Sequence, residues 1–268
     1  MSEVPFAREV PAREVPESEI KQLRPRTHEY VLVIPVINEG ERIHRQLRAI
    51  SALKPSVDVV LADGGSTDGS LEIDFLRANG CRAILTKKGP GKLSAQLRMA
   101  YAWALDEGYR GIITVDGNGK DGVEAIDAFV EKLQAGFDYV QGSRYIAGGR
   151  AINTPIDRKI GGRFIHAPLL SLFGRHWYTD TTNGFRAYSA RYLLDPRVAP
   201  FRSVFGRYEL LFYLTVRAGQ LGYRVVEIPV TRTYPSGEKP PTKISGFWGR
   251  LNILRELVAA ATGRFNPR

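Results

Sequence analysis

The chain has one cysteine, two methionines and four histidines among its 268 residues. No apolar run approaches the roughly 20 residues that span a bilayer. The lone thiol, Cys81, excludes an intrachain disulfide and a cysteine-built metal site, and it reads as a core residue. The first residues lack an apolar signal segment, so a cytoplasmic chain is expected, lying at the inner face of the membrane if it touches one. No aromatic-basic module such as an RNP motif occurs and the basic residues are dispersed, so nucleic acid is not an expected partner. Positive charge, by contrast, is in excess. The net charge is +10, and residues 1–29 hold five basic and six acidic side chains, which leaves +11 on the rest. A field of that sign attracts phosphate-bearing partners.

Residues 1–28 contain a tandem AREVP (7–11 and 12–16), several prolines and few large apolar side chains. Such a segment buries too little to offset its ordering entropy, and a disordered or loosely docked tail is expected. From Tyr30 the pattern changes. YVLVIPV (30–36), VDVVLA (57–62), CRAILT (81–86) and GIITV (111–115) are short apolar runs, each separated from the next by a stretch of helical spacing, such as Ile43, Leu47 and Ile50. Strands alternating with helices imply βαβ units, hence an α/β fold with a mostly parallel, Rossmann-like sheet flanked by helices. Further helices are expected over 122–135, 163–177, 205–222 and 244–262, with strands at 137–145 and before 230.

The chain is organised around 109–126, where the run Gly111–Val115 stops at Asp116 and a Gly/Asp loop follows. Glu39 follows the first strand, Asp63 the second and Asp116 the fourth. In an open α/β sheet, ligands bind beyond the carboxyl ends of the strands. Carboxylates there can bond a nucleobase or ribose, or hold a divalent cation against a diphosphate. A strand followed by an ordinary Gly/Asp turn is the competing reading for Asp116.

PVINE (35–39), ADGGSTDGS (62–70), GPGK (89–92), VDGNGKDG (115–122), VQGSRY (140–145), DTTNGFRAY (180–188) and GYRVVEIPV (222–230) occur in the order found in family 2 glycosyltransferases of GT-A fold. Within that family the chain most resembles the polyprenyl-phosphate (dolichol-phosphate) sugar transferases, over about residues 30–245. The resemblance implies a catalytic domain over 29–230, with a nucleotide-binding half (29–120) and an acceptor-side half (121–230), then a basic amphipathic segment over 231–268. It implies a nucleotide-sugar donor, inverting transfer, and a polyprenyl-phosphate or glycan acceptor. By the same resemblance Pro35 and Glu39 frame the base pocket, and Asp63 contacts base or ribose. Asp116 falls at the first acidic position of the family's Asp-x-Asp metal motif.

At that motif the sequence departs from the family. Asn118 replaces the second acid, and Lys120 replaces a downstream glutamine. An amide in place of a carboxylate weakens a magnesium or manganese site. Either Asp116, Asn118 and Asp121 still hold Mg2+ or Mn2+ with Lys120 turned away, or Lys120 partly replaces the metal at the diphosphate; a donor-binding chain without turnover is the third reading. Lys92, Arg144, Arg186 and Lys243 are candidate phosphate contacts, Arg186 and Lys243 by resemblance. Lys92 counts with the nucleotide-binding set, and Arg186 with Asp116, Lys120 and Asp180 in the catalytic set. Asp180 is the candidate general base for a hydroxyl acceptor. A lipid phosphate needs no base, and Asp180 would then position its loop. Glu209 and Glu227 read as structural. Helices 163–177 and 244–262 pair apolar faces with Arg and Trp, which suits peripheral membrane contact, and helix 163–177 could equally serve a homodimer.

Overall fold

The computed structural model describes residues 13–235 and 246–267. Eight strands form one sheet in the order β1-β4-β3-β2-β5-β8-β6-β9. These are β1 (Ser18–Gln22), β2 (Tyr30–Val36), β3 (Asp58–Asp63), β4 (Cys81–Lys87), β5 (Gly111–Thr114), β6 (Tyr139–Ser143), β8 (Arg186–Ser189) and β9 (Val225–Pro229). The ladders β2–β3, β3–β4, β2–β5 and β6–β9 are parallel, whereas β1 runs antiparallel to β4 and β8 antiparallel to β5 and β6. The order reverses at β2, with β3 on one side and β5 on the other. This is the switch point beside which an open α/β sheet leaves its binding crevice.

Helices cover both faces, so the central strands are buried on both sides and read as continuous apolar runs. Alternation along β2 divides its side chains between two cores. Val31 and Val33 join Leu97, Tyr101, Leu210 and Leu214 of α3 (Leu93–Asp106) and α8 (Glu209–Gln220). Leu32, Ile34 and Val36 join Ile43, Leu47 and Ile50 of α1 (Glu41–Leu53) and Phe129 of α4 (Ile126–Gln134). Pro35 directs its carbonyl to Gly117 N at 3.3 Å, on the β5 side. It has no N–H to offer there, and the β2–β5 ladder ends at Val33–Thr114.

One expectation needs correction. From Arg13 onward the N-terminal segment is docked: β1 forms the sheet edge on β4, and Arg13 reaches Ala102 O (2.8 Å) and Asp106 (2.6 Å). Long-range partners supply the order that its composition does not; residues 1–12 lie outside the described residues. A ladder also crosses the expected boundary at 230. β10 (Thr231–Thr233) pairs in parallel with β7 (Arg150–Ile152), a pairing that the Gly-rich stretch around it concealed, and this ties 231–235 to the preceding part of the fold.

The apolar helix expected over 163–177 is a composite. A short α5 (Ile156–Ile160) runs into a six-residue π-helical stretch, Gly161–His166, and then into α6 (Ala167–Gly174). Ala167, Leu170 and Ser171 face inward, while Phe164 (68% exposed), Leu172 (76%) and Trp177 (74%) face out. In α9 (Gly246–Ala261), Leu257, Ala260 and Ala261 are buried and Leu254 and Val258 are exposed, so only part of its apolar stripe is covered.

Candidate active site

Glu39, Asp63 and Asp116 lie at one sheet edge because β2, β3 and β5 are parallel and each acid follows or ends its strand. Asp63 is fixed by Ser66, whose backbone N and hydroxyl both bond Oδ1, at 2.8 and 2.7 Å. Glu39 pairs with Arg42 one helical turn on, at 3.0 Å. Pro35 is buried within β2 and contributes its carbonyl to the Asp116 loop.

The 116–121 loop is braced from α1. Gln46 is buried on the otherwise apolar face of that helix; it donates to Asp116 O (3.0 Å) and accepts from Gly119 N (3.0 Å). Gly117 is required for space, since a Cβ there would lie 2.6 Å from Val36 Cγ1. The 180–186 loop presses just as closely. A Cβ on Gly184 would lie 2.4 Å from Asp116 Oδ1.

The residue that sequence reasoning missed is Arg232. Its Nη1 bonds Asp121 Oδ2 at 2.5 Å and its Nη2 bonds Asp116 Oδ2 at 3.1 Å, so one guanidinium bridges both acids. Asp121 is fully buried, and Asp116 keeps 29% of its side chain exposed. Backbone bonds from Gly122 N to Thr231 O and from Thr233 N to Lys120 O, both 2.8 Å, zip the two segments together. Burial raises the Asp121 carboxyl to about 6 against the pull of Arg232. Burial also opposes the Arg232 charge, but Asp121 and Asp116 outweigh it and hold that group above the ordinary guanidinium range. Lys120 is buried with Nζ 4.9 Å from the Tyr234 ring centroid, and the guanidinium carbons of Arg158 and Arg232 each lie 5.7 Å from the same centroid. Burial, then Arg232, lowers the Lys120 ammonium below its usual value.

These residues do not fit a divalent cation. Asp121 and Asp116 each give one carboxylate oxygen to the same guanidinium, Arg232. Asn118 turns its amide nitrogen toward Asp116 (3.4 Å) and its oxygen toward Lys120 N (3.2 Å). Among the described residues, no group of three or more His, Cys, Asp or Glu is arranged to hold a metal. The expected ligand set Asp116, Asn118 and Asp121 is therefore corrected: two cationic side chains stand where a hard dication would need anionic oxygen.

On the other side of Asp116, the Asp180 carboxylate is buried and grips Arg144 through Nε (2.6 Å) and Nη2 (2.9 Å), with Thr182 joining the network. Both oxygens are engaged, so Asp180 is not placed as a general base, and Arg144 is buried in that pair. Arg186 is corrected too. It is buried and donates to Thr181 O, Asn183 O, Leu211 O and Thr215 Oγ1, which makes it the internal brace of the 180–186 loop. Glu227 accepts from Thr179 N (3.0 Å) and Asp180 N (3.1 Å) and holds the loop's other end.

Lys92 caps α3, with its N–H on Gly206 O, in a cluster with Glu209, Arg207 and Glu256; no contact joins it to Asp116. Lys243 lies outside the described residues. Above the cation cluster runs the 152–166 segment. Asn153 bonds Tyr234 O (3.3 Å), Arg158 lies 3.5 Å from the Tyr234 hydroxyl, and Arg163 stands over Tyr145 at 5.5 Å.

The glycosyl transferase family 2 model matches residues 31–195, more than half of the chain. The polyprenol monophosphomannose synthase of Mycolicibacterium smegmatis is 29% identical over 246 residues, covering 91% of this chain and 89% of that protein. The undecaprenyl-phosphate mannosyltransferase of Micrococcus luteus is 29% identical over 236 residues, covering 86% and 91%. Glucosyl-3-phosphoglycerate synthase from Mycobacterium tuberculosis, solved with uridine diphosphate, shares the fold at a TM-score of 0.62 and 17% identity, over 91% of this chain and 82% of that one. The same synthase solved with Mn2+, uridine diphosphate and phosphoglyceric acid gives a TM-score of 0.61 at 18% identity, over 89% and 78%. With the ordered motifs, the switch-point sheet and the family match in agreement, this chain belongs to glycosyl transferase family 2 and is a nucleotide-sugar-dependent glycosyltransferase.

Proposed function

We propose that the chain transfers a sugar from a nucleotide-sugar donor to a polyprenyl phosphate presented by a membrane. The observation that carries this reading is the face beside the site. Ile156 (68% exposed), Ile160, Phe164 and Ile165 project from the 156–166 segment, interleaved with Arg158, Lys159 and Arg163. The same segment touches Tyr234, over which Lys120 stands. Apolar side chains beside arginines suit a bilayer surface with anionic headgroups, and a lipid phosphate entering there meets cations next to Asp116. No helix among the described residues is long and apolar enough to cross a membrane. The relatives named for polyprenol and undecaprenyl phosphate add support.

In the step itself, an oxygen of the acceptor phosphate attacks the anomeric carbon. The bond from that carbon to the donor's β-phosphate oxygen breaks, and its electron pair leaves on the nucleoside diphosphate. A phosphate acceptor is already ionised at neutral pH, so no proton is removed. This accords with Asp180, which is bonded to Arg144 instead of waiting for a hydroxyl proton. Catalysis then rests on holding donor and acceptor in line and on balancing charge at the departing diphosphate.

The test mixes the protein with vesicles containing polyprenyl phosphate and a panel of nucleotide sugars, and detects the lipid-linked sugar by mass spectrometry. One donor is expected to yield product. Ile156→Glu with Phe164→Glu is expected to lose vesicle sedimentation and transfer while keeping nucleotide binding. Nucleotide binding without product from any donor would mean a donor-binding protein without turnover. Vesicle binding unchanged in the double variant would overturn the membrane face.

A further inference from the structure

We propose that Arg232 and Lys120 take the place of the divalent cation at the leaving diphosphate, so that this chain binds its donor without metal. The inference rests on the transferase reading above and adds how the site balances charge. Asp116 and Asp121 are the acids beside the reacting end of β5, and one guanidinium spans both, at 3.1 and 2.5 Å. The arrangement is built in and not a chance surface contact. Arg232 is buried, and backbone bonds on both sides of it, Gly122 N to Thr231 O and Thr233 N to Lys120 O, fix the 120–122 and 231–233 segments against each other. Asn118, the would-be second acid, turns its amide nitrogen to Asp116.

The charge count points the same way. Two carboxylates stand with two cations, Arg232 and Lys120, and Arg158 adds a third beside the Tyr234 ring. A dication placed here would meet a neutral to positive surround and one partly exposed carboxylate. A diphosphate would meet one cation in excess, since three cations stand with two carboxylates. A delocalised guanidinium presents several donors to phosphate oxygens, and an ammonium adds a point charge, so together they can receive the charge that develops as the sugar–oxygen bond breaks. Asp116 and Asp121 then serve to aim Arg232, and Tyr234 seats Lys120.

The experiment is calorimetric titration of the full chain with uridine and guanosine diphosphates, in chelator and in Mg2+ or Mn2+, with Mn2+ alone as a separate titrant. One nucleotide is expected to bind with an affinity that changes less than about twofold between chelator and metal, and Mn2+ alone to give no saturable heat. Loss of one charge-assisted contact costs about tenfold or more, and Lys120→Met and Arg232→Lys are expected to weaken binding by at least that factor. Lys120→Met leaves the Asp121 pair intact, so a folding defect in the Arg232 variant cannot hide the result. Binding that appears only with metal would overturn the inference and leave the transferase reading standing. So would metal-free binding that neither variant weakens. No nucleotide binding under any condition would instead sink the transferase reading itself.

Discussion

Gly184→Ala is the smallest change that should disable the site without touching a charged residue. The added Cβ would stand 2.4 Å from Asp116 Oδ1 and 2.9 Å from its Cγ, where nothing but a shift relieves the overlap. The 180–186 loop cannot easily yield, because Arg186 ties Thr181 and Asn183 from within and Asn183 bonds Phe185 N at 3.0 Å. The Asp116 carboxylate must move instead, by about 1 Å if it is to reach ordinary contact, and its 3.1 Å bond to Arg232 would open. A displacement of that size in a group that positions the site's charges costs on the order of 100-fold in rate. Overpacking at one methyl costs about 1–3 kcal/mol in stability, which a folded domain tolerates. The assay is initial rate of lipid-linked sugar formation, with thermal melting on the same sample. A folded Gly184→Ala protein with the wild-type rate would refute the claim that this carboxylate's position matters.

Arg186→Met should act on folding and not selectively on substrate. It strips partners from buried carbonyls of Thr181, Asn183 and Leu211, and a loss of about 3–5 kcal/mol, a fall of roughly 10 °C in Tm, is expected by calorimetry; a shift within error would return Arg186 to the candidate catalytic set. Glu256 supplies a pH signature. Burial, then Glu209, raises its carboxyl to about 7 against Arg207, with Lys92 also in range. The folded state therefore keeps a proton that the unfolded chain loses near its ordinary value of 4.5, and stability declines as pH rises from about 4.5 to 7. Urea midpoints should be lower above this window than below it, and Glu256→Gln should flatten the difference; an equal drop in the variant would remove Glu256 as the cause.

The fold was legible because local pattern and burial coincide. β2 to β5 are apolar on both faces and separated by helical spacing, so their order, and with it the meeting of Glu39, Asp63 and Asp116, follows from the rules for parallel sheets. What was hidden was long-range pairing. Arg232 sits between two threonines in a three-residue strand, and nothing local says that its guanidinium returns across 111 residues to Asp121. Gln46 carried a faint signal, a polar residue within the buried face of α1. Arg186 and Asp180 misled for the opposite reason. A motif identifies residues that a family keeps, and burial decides whether they touch substrate or hold the loop that does. The N-terminal strand escaped because composition measures what a segment can bury by itself, and β1 is ordered by the edge of β4.

The most direct measurement compares two acceptors that differ in one group, polyprenyl phosphate and the corresponding polyprenol, in the same vesicles with the same donor. With Asp180 held by Arg144 and no proton to remove from a phosphate, product is predicted from the phosphate alone, and Asp180→Asn should slow its formation without changing that preference. Transfer to the alcohol, or to a soluble sugar hydroxyl, at a comparable rate would contradict the account, because it would require a base that this arrangement does not provide.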